Sequence, residues 1–203
     1  MFATSAGGAG EGTSPETVGV VLGIDPGLSR CGYGAVRRDG SAFSAVACGV
    51  IRTPPGDDLP DRLAALAAEM ESLVAEQRPR AIAVERVLFQ VNARTAMSVG
   101  QASGLVLAIA GRERIPVVQY SPNEVKLAVA GDGAAGKEEV QVMVARLLRL
   151  REVPRPADAA DALALALCHW WRAPLRAAVG ESDDGESRLA AAIAAAVSRE
   201  PRA

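Results

Sequence analysis

Aromatic side chains are scarce in this sequence, because Phe, Trp and Tyr together make up only 3% of its 203 residues. Hydrophobic residues as a whole still account for 49% of the chain, and Ala and Leu are the most frequent among them. A core of small aliphatic side chains suits helices and buried strands better than an all-β protein. The length fits one compact domain with a substantial core. We therefore predict a single α/β domain.

Cysteine and histidine are also rare, which argues against several kinds of site. Cys31, Cys48 and Cys168 form no CxxC pair, so we predict buried, reduced thiols rather than a disulfide framework or a zinc site. His169 is the only histidine. A metal site built from a cluster of imidazoles or thiolates is therefore excluded.

Long apolar runs and a secretory leader are missing as well. No apolar run approaches the roughly 18 residues needed to span a bilayer, and the first 19 residues show neither a basic segment nor an apolar one. We expect a cytoplasmic protein with no membrane partner.

The formal net charge is only −2, which at first disfavours a nucleic-acid partner. The excess acid lies in the two ends of the chain, however, since residues 1–17 and 179–203 each carry a net charge of −2. Residues 18–178 therefore carry a net charge of +2, and the surface would be more basic still if some acids bound divalent metal. The charge distribution permits DNA binding without requiring it.

The chain divides into three parts. Residues 1–17 are rich in Gly, Ser and Thr and predict a disordered N-terminal extension, and residues 177–203 predict a flexible acidic and Ala-rich tail. Within the domain at 18–176, apolar runs and helical spacing predict strands at 18–25, 31–38, 43–52, 78–85 and 117–120, and helices at about 59–77, 92–112, 122–129, 137–150 and 157–172. Three consecutive strands followed by helix and strand alternation predict a mixed five-stranded sheet flanked by helices.

Two strands end in a carboxylate. Asp25 closes an apolar strand and enters a Gly-rich turn, where little side-chain bulk would keep a metal or a phosphate backbone away. Glu85 ends the strand at 78–85 and points away from the face of Ile82 and Val84. Alone, Asp25 could equally belong to an ordinary Asp-Pro-Gly turn, and Glu85 to an ion pair with a neighbouring arginine.

Two more acids, Asp158 and Asp161, open an otherwise apolar helix. At a spacing of three residues their carboxylates share one face and repel each other unless a cation lies between them. Complementing the helix dipole explains one acid in the first turn more readily than two on the same face. Four carboxylates without His or Cys form the ligand set that Mg²⁺ or Mn²⁺ prefers, and such sites commonly serve phosphoryl transfer through two ions.

Four segments in this order, GIDPGLSRCGYG, AIAVERV, SPNEVK and PADAADALALALCH, resemble the motifs of the RuvC family of Holliday junction resolvases. The resemblance covers roughly residues 20–175. It implies a ribonuclease H-like fold and a homodimer that cuts symmetric strands of four-way junction DNA. It also implies that Asp25, Glu85, Asp158 and Asp161 are the catalytic residues and bind Mg²⁺, with Mn²⁺ as an alternative and two ions per site.

The same resemblance implies the DNA contacts and the protein partners. Lys126 and Lys137, the only lysines of the chain, fall where the family has basic residues near the scissile phosphate. The branch-migration proteins RuvA and RuvB are the implied partners. Many relatives have Phe three residues after the strand glutamate, whereas this chain has Leu88 there and Phe89 one residue later. The further candidate DNA contacts are Arg86, Leu88, Phe89, Gln90, Asn92 and Arg94.

Two other functions remain open at this stage. One is a catalytically silent module that binds four-way junctions, and the intact set of four acids argues against it. The other is an actin-like phosphotransferase, which shares the strand, acid and Gly-rich turn but needs a duplicated domain and a second nucleotide motif. The chain is too short for the first of these requirements and shows no sign of the second.

Overall fold

The computed structural model describes residues 18–86 and 93–179. These residues form five strands and five helices: β1 Val18–Asp25, β2 Arg30–Asp39, β3 Ala42–Arg52, α1 Leu59–Gln77, β4 Ala81–Glu85, α2 Ala93–Glu113, β5 Val117–Tyr120, α3 Pro122–Ala130, α4 Lys137–Leu147 and α5 Ala157–Val179. The predicted flanking segments fall outside the described residues, apart from the end of α5.

The five strands form one mixed sheet in the order β3-β2-β1-β4-β5. β1, β2 and β3 pair as an antiparallel meander, whereas β4 lies parallel to β1 and β5 lies parallel to β4. β1 is the central strand, and its carboxyl end lies beside the carboxyl end of β4. The predicted five-stranded mixed sheet is confirmed.

Side-chain alternation along the strands separates two apolar layers. Val20, Leu22 and Ile24 pack against α1 and α2, whereas Val21 belongs to the layer that contains α3, α4 and α5. Both faces of β1 are therefore buried, which explains why its sequence is an almost continuous apolar run rather than an alternating one. None of the helices in the described ranges is long and apolar enough to cross a membrane.

Four sequence predictions need correction. β4 begins at Ala81 rather than at 78, because Arg78 takes a left-handed conformation with φ 44° at the end of α1. α4 ends at Leu147 rather than near 150, because Arg149 takes a left-handed conformation with φ 53° and the chain turns away. α5 continues past the predicted end at 172 to Val179, since Pro174 removes one helical hydrogen bond without ending the helix. Cys31 and Cys168 are buried as expected, but Cys48 is exposed because it lies on β3 at the edge of the sheet.

Candidate active site

The carboxyl ends of β1 and β4 bring Asp25 and Glu85 together. The two strands are parallel neighbours, with Ile24 opposite Val84, so the next residue of each strand falls at the same edge of the sheet. Alternation points both acidic side chains to the face that α5 covers, because Val21 and Ala83 already belong to that layer. The two carboxyl groups are close enough to affect each other's pKa.

α5 delivers the other two acids because glycines let it lie directly on the sheet. A Cβ atom built on Gly32 would stand 2.3 Å from the carbonyl oxygen of Asp158, and one built on Gly34 would stand 2.6 Å from the backbone nitrogen of Leu163. Only a strand without side chains at these positions allows such an approach. The first turn of α5 therefore lies over the end of β1, beside Asp25.

Each of the two helical acids is held by a cation from a different element. Nε and Nη2 of Arg30, at the start of β2, both donate to Oδ2 of Asp158, the first over 3.1 Å. Nζ of Lys137, at the start of α4, lies 2.6 Å from Oδ2 of Asp161. Gln141, one turn further along α4, donates through Nε2 to Oδ1 of Asp161 over 3.3 Å.

The two strand-end acids, Asp25 and Glu85, both have raised pKa values. Burial and then the negative charges of Glu85, Asp161 and Asp158 raise the pKa of Asp25 to about 7, while Lys137 opposes them. Burial and then the charge of Asp161 raise the pKa of Glu85 above its usual range, although its interaction with Asp25 counteracts them. In the absence of a further cation, Asp25 therefore holds its proton to a much higher pH than an ordinary aspartate does.

Asp158 behaves differently because its partner is a cation. Partial burial works against ionisation of Asp158, but the hydrogen bond and the charge of Arg30 outweigh it and hold the pKa of Asp158 below its usual value. The hydrogen bond to Asp161 raises the pKa of Lys137, so this lysine stays charged. The two protein cations Arg30 and Lys137 thus offset part of the negative charge of the cluster.

The donor set fits a hard divalent cation, since it consists of carboxylate oxygens whose repulsion such an ion would relieve. As the side chains stand in residues 18–86 and 93–179, no three acidic, imidazole or thiol groups converge as a metal centre. Asp158 and Asp161 are instead paired with Arg30 and Lys137. Metal binding would need a change of side-chain conformation rather than of fold.

The predicted DNA contacts have different positions. Lys137 belongs to the carboxylate cluster, whereas Lys126 is half-buried on α3 and none of its described contacts reaches the four acids. Arg86 is exposed and donates through Nη2 to the carbonyl oxygen of Gln119, so it does not supply the ion partner considered for Glu85. The remaining predicted contacts, Leu88, Phe89, Gln90, Asn92 and the side chain of Arg94, lie outside the described residues.

Sequence reasoning missed two residues of the cluster. Gln141 stands four residues after Lys137, so helical spacing puts the two side chains on one face, and placing Lys137 at the site would have pointed to it. Arg30 is separated from Asp158 by 128 residues along the chain. No local pattern indicates that pairing.

Comparison with known proteins identifies the family. The family model "Crossover junction endodeoxyribonuclease RuvC" matches residues 21–169. The protein of that name from Salinispora arenicola is 52% identical, over 83% of this chain and 97% of its own length. The one from Frankia alni is 51% identical, over 88% of this chain and 87% of its own length. The Thermus thermophilus RuvC solved in complex with a Holliday junction substrate is 40% identical, with a TM-score of 0.74 over 77% of this chain and 95% of its own. The predicted ribonuclease H-like fold is confirmed, and the chain belongs to the RuvC family of crossover junction endodeoxyribonucleases.

Proposed function

We propose that this protein resolves Holliday junctions by symmetric, metal-dependent hydrolysis of two phosphodiester bonds, and that Asp25, Glu85, Asp158 and Asp161 are its catalytic, metal-binding residues. The family consists of divalent-metal-dependent nucleases. The main support for this assignment is the position of the acids. Two lie at the ends of β1 and β4, and the first turn of α5 places the other two beside them. Burial, and after it the negative charges within this group, raise the pKa of Asp25 to about 7, as expected for a cluster that binds a cation.

The four acids would hold Mg²⁺, or Mn²⁺ in its place, as a pair of ions. When bound, such ions activate a water molecule and stabilise the leaving 3′ oxygen of the phosphodiester. The charged Lys137, with its Nζ 2.6 Å from Asp161, adds positive charge at the point where a phosphate would approach. The exposed side chain of Lys137 is free to exchange its carboxylate partner for a phosphate oxygen.

The substrate assignment is tested by cleavage of a synthetic four-way junction, with a linear duplex of the same sequence as control. With Mg²⁺ we expect paired, symmetric nicks on the junction alone. Asp158→Asn and Glu85→Gln should abolish nicking and leave junction binding largely intact, because binding depends on phosphate contacts elsewhere. A loss of binding together with cutting would contradict this division of roles. A wild-type protein that binds the junction and never cuts it would be a silent junction-binding module instead.

A homodimer follows from paired nicking, since a two-fold dimer matches the approximate two-fold symmetry of a four-way junction. α2 offers a surface for it. Met97 is 68% exposed and Leu107 is 39% exposed, and a Cβ atom built on Gly100, Gly104 or Gly111 would meet no described atom within 4 Å. These five residues recur every three or four positions along one face of the helix, so a second α2 could approach closely.

Light scattering of two charge-introducing variants tests this surface. Leu107→Glu should convert the dimer into monomers, because it buries a charge against the partner. Leu127→Glu is a matched control, since Leu127 is 52% exposed on α3 and should leave the dimer intact. Dimers that survive Leu107→Glu would place the interface elsewhere.

We extend the proposal to RuvA and RuvB as partners on the basis of family membership, and added RuvA and RuvB should then alter junction cleavage.

A further inference from the structure

Arg30 uses two nitrogens on a single oxygen of Asp158. Its Nε donates to Oδ2 over 3.1 Å and its Nη2 donates to the same atom. Neither of these bonds goes to Oδ1. The side chains of Arg30 and Asp158 are 43% and 25% exposed, so the pair lies at the rim of the carboxylate cluster rather than beneath it.

The backbone and the side chain of Asp158 are both controlled from the same face of β2. Arg30 and Gly32 are two residues apart on this strand and point the same way. Because Gly32 has no side chain, the carbonyl group of Asp158 packs directly against the strand. A Cβ atom at Gly32 would lie 2.3 Å from the carbonyl oxygen of Asp158. Gly32 thus allows the first turn of α5 to lie close to β2, and Arg30 contacts the carboxylate that this turn carries.

The segment that carries Arg30 is itself held by a polar network. The buried hydroxyl of Thr53 donates to the carbonyl oxygen of Leu28 over 2.6 Å. Arg62 of α1 donates to the hydroxyl groups of Ser29 and Thr53, over 2.5 Å and 3.1 Å. Hydrogen bonds therefore tie the residues just before Arg30 to Thr53, which follows β3, and to α1. These bonds fix the position of the backbone at Arg30.

We propose that Arg30 is a positioning residue for metal binding: it occupies Oδ2 of Asp158 and thereby presents Oδ1 to the divalent cation. The proposal rests on the function proposed above, because it assumes that Asp158 binds metal. Carboxylates that ligate metals are commonly oriented by a hydrogen-bond donor behind them, and loss of such a donor lowers metal affinity by about 10- to 100-fold.

A guanidinium group has a second effect, because its positive charge repels the metal ion. The two effects change metal affinity in opposite directions. If orientation dominates, removing Arg30 weakens metal binding. If repulsion dominates, removing it strengthens binding. The two-donor contact on one oxygen favours orientation, since charge alone does not require it.

Direct Mn²⁺ binding, followed by the electron paramagnetic resonance signal of the free ion, tests the proposal without any cleavage. Arg30→Gln should weaken Mn²⁺ binding by about 10- to 100-fold, and Arg30→Lys should recover part of the loss because it keeps one donor. Thermal unfolding in metal-free buffer should show that both variants are folded. In the cleavage assay, Arg30→Gln should raise the Mg²⁺ concentration for half-maximal rate, and saturating Mg²⁺ should restore most of the rate.

Two further variants separate position from charge. Arg52 is the cross-strand neighbour of Arg30 and is exposed at the same end of the sheet, so Arg52→Gln removes an equal charge without touching Asp158. It should bind Mn²⁺ as the wild type does. In an Asp158→Asn background, Arg30→Gln should have no further effect on Mn²⁺ binding, since the group it orients is already gone.

Three outcomes would overturn the proposal: Mn²⁺ binding by Arg30→Gln that equals or exceeds the wild-type affinity, an equal loss in Arg52→Gln, or an undiminished effect of Arg30→Gln in the Asp158→Asn background. The proposed function fails by a different observation. A wild-type protein that binds Mn²⁺ with the expected dependence on Arg30 but cuts no junction would contradict only the substrate assignment.

Discussion

A Cβ atom built on Gly23 would lie 1.9 Å from the carbonyl oxygen of Ala162 and 2.8 Å from the backbone nitrogen of Ala166. The middle of β1 is therefore in direct backbone contact with α5. Gly23 lies two residues before Asp25, and Ala162 follows Asp161 directly. The packing of these two residues sets the distance between the strand-end acids and the helical acids.

Gly23→Ala should force α5 away from the sheet, because the added methyl group has no room. We expect a loss of about 1–3 kcal/mol in the free energy of unfolding, which is typical of overpacking. We also expect a fall of roughly 100-fold in junction cleavage, the scale of a 1 Å misplacement of catalytic groups. Urea unfolding and the cleavage assay measure the two effects. Gly56→Ala is the matched control, since a Cβ atom there meets no described atom within 4 Å, and it should change neither quantity appreciably.

The stability of the metal-free protein should fall as the pH rises from about 4 to about 7. Asp25 keeps its proton up to a pKa of about 7 in the folded protein, whereas in the unfolded chain it ionises near pH 3.9. The folded state binds more protons in this interval, so the contribution of Asp25 to stability is complete below pH 4 and is lost as the pH passes 7. The raised pKa of Glu85 acts in the same direction.

Urea unfolding in EDTA between pH 4 and pH 8 measures this dependence. Asp25→Asn cannot titrate, so its stability should decline less over the interval. The difference between the two proteins reports the titration of Asp25 together with its coupling to Glu85. Parallel pH profiles for the wild type and Asp25→Asn would show that Asp25 has an ordinary pKa in the folded state.

The two lysines should differ in what they contribute. Lys137→Gln removes the cation next to Asp161 and should lower the cleavage rate at saturating junction on the order of 100-fold, the scale for loss of one electrostatic donor. Lys126→Gln is the matched variant, and it should mainly weaken junction binding. The slope of log binding constant against log salt concentration should become shallower by about one. Single-turnover rates and binding titrations at several salt concentrations separate the two. Equal losses of rate in both variants would contradict a special role for Lys137.

Trp170 should stabilise the fold without affecting catalysis. Its Nε1 donates to the carbonyl oxygen of Val36 over 3.1 Å, and the guanidinium groups of Arg38 and Arg80 lie 5.8 Å and 5.5 Å from its ring centre. Trp170→Phe removes this buried hydrogen bond, so we expect a loss of about 1–3 kcal/mol in the free energy of unfolding. The cleavage rate should stay unchanged, because Trp170 lies about 18 Å along α5 from Asp158.

Urea unfolding of the neighbouring variant provides the control for this prediction. Trp171 is half-buried and contacts Phe43 edge-on at 5.6 Å, so Trp171→Phe should cost less than Trp170→Phe. Equal losses in the two variants would mean that ring size, and not the bond to Val36, accounts for the effect.

The sequence alone determined the elements and the acids. Periodicity predicted β1 and β5 with the bounds that the structure shows, and α1 likewise, because an apolar run or a helical stripe is a local property of the chain. The four acids could be named because each stands at the end of such an element. The predicted end of α4 was wrong. The left-handed turn there lies at Arg149, and the sequence has no glycine at that position to indicate the end of a helix.

Only the tertiary structure decided how these parts act together. Arg30 meets Asp158, and Gly23 meets Ala162, because α5 packs across β1 and β2 after more than a hundred residues of intervening chain. The pKa of Asp25 depends on burial and on charges from β4, α4 and α5, none of which is its neighbour in sequence. Local spacing shows which groups an element carries, whereas distances and electrostatic coupling between elements exist only once the chain is packed.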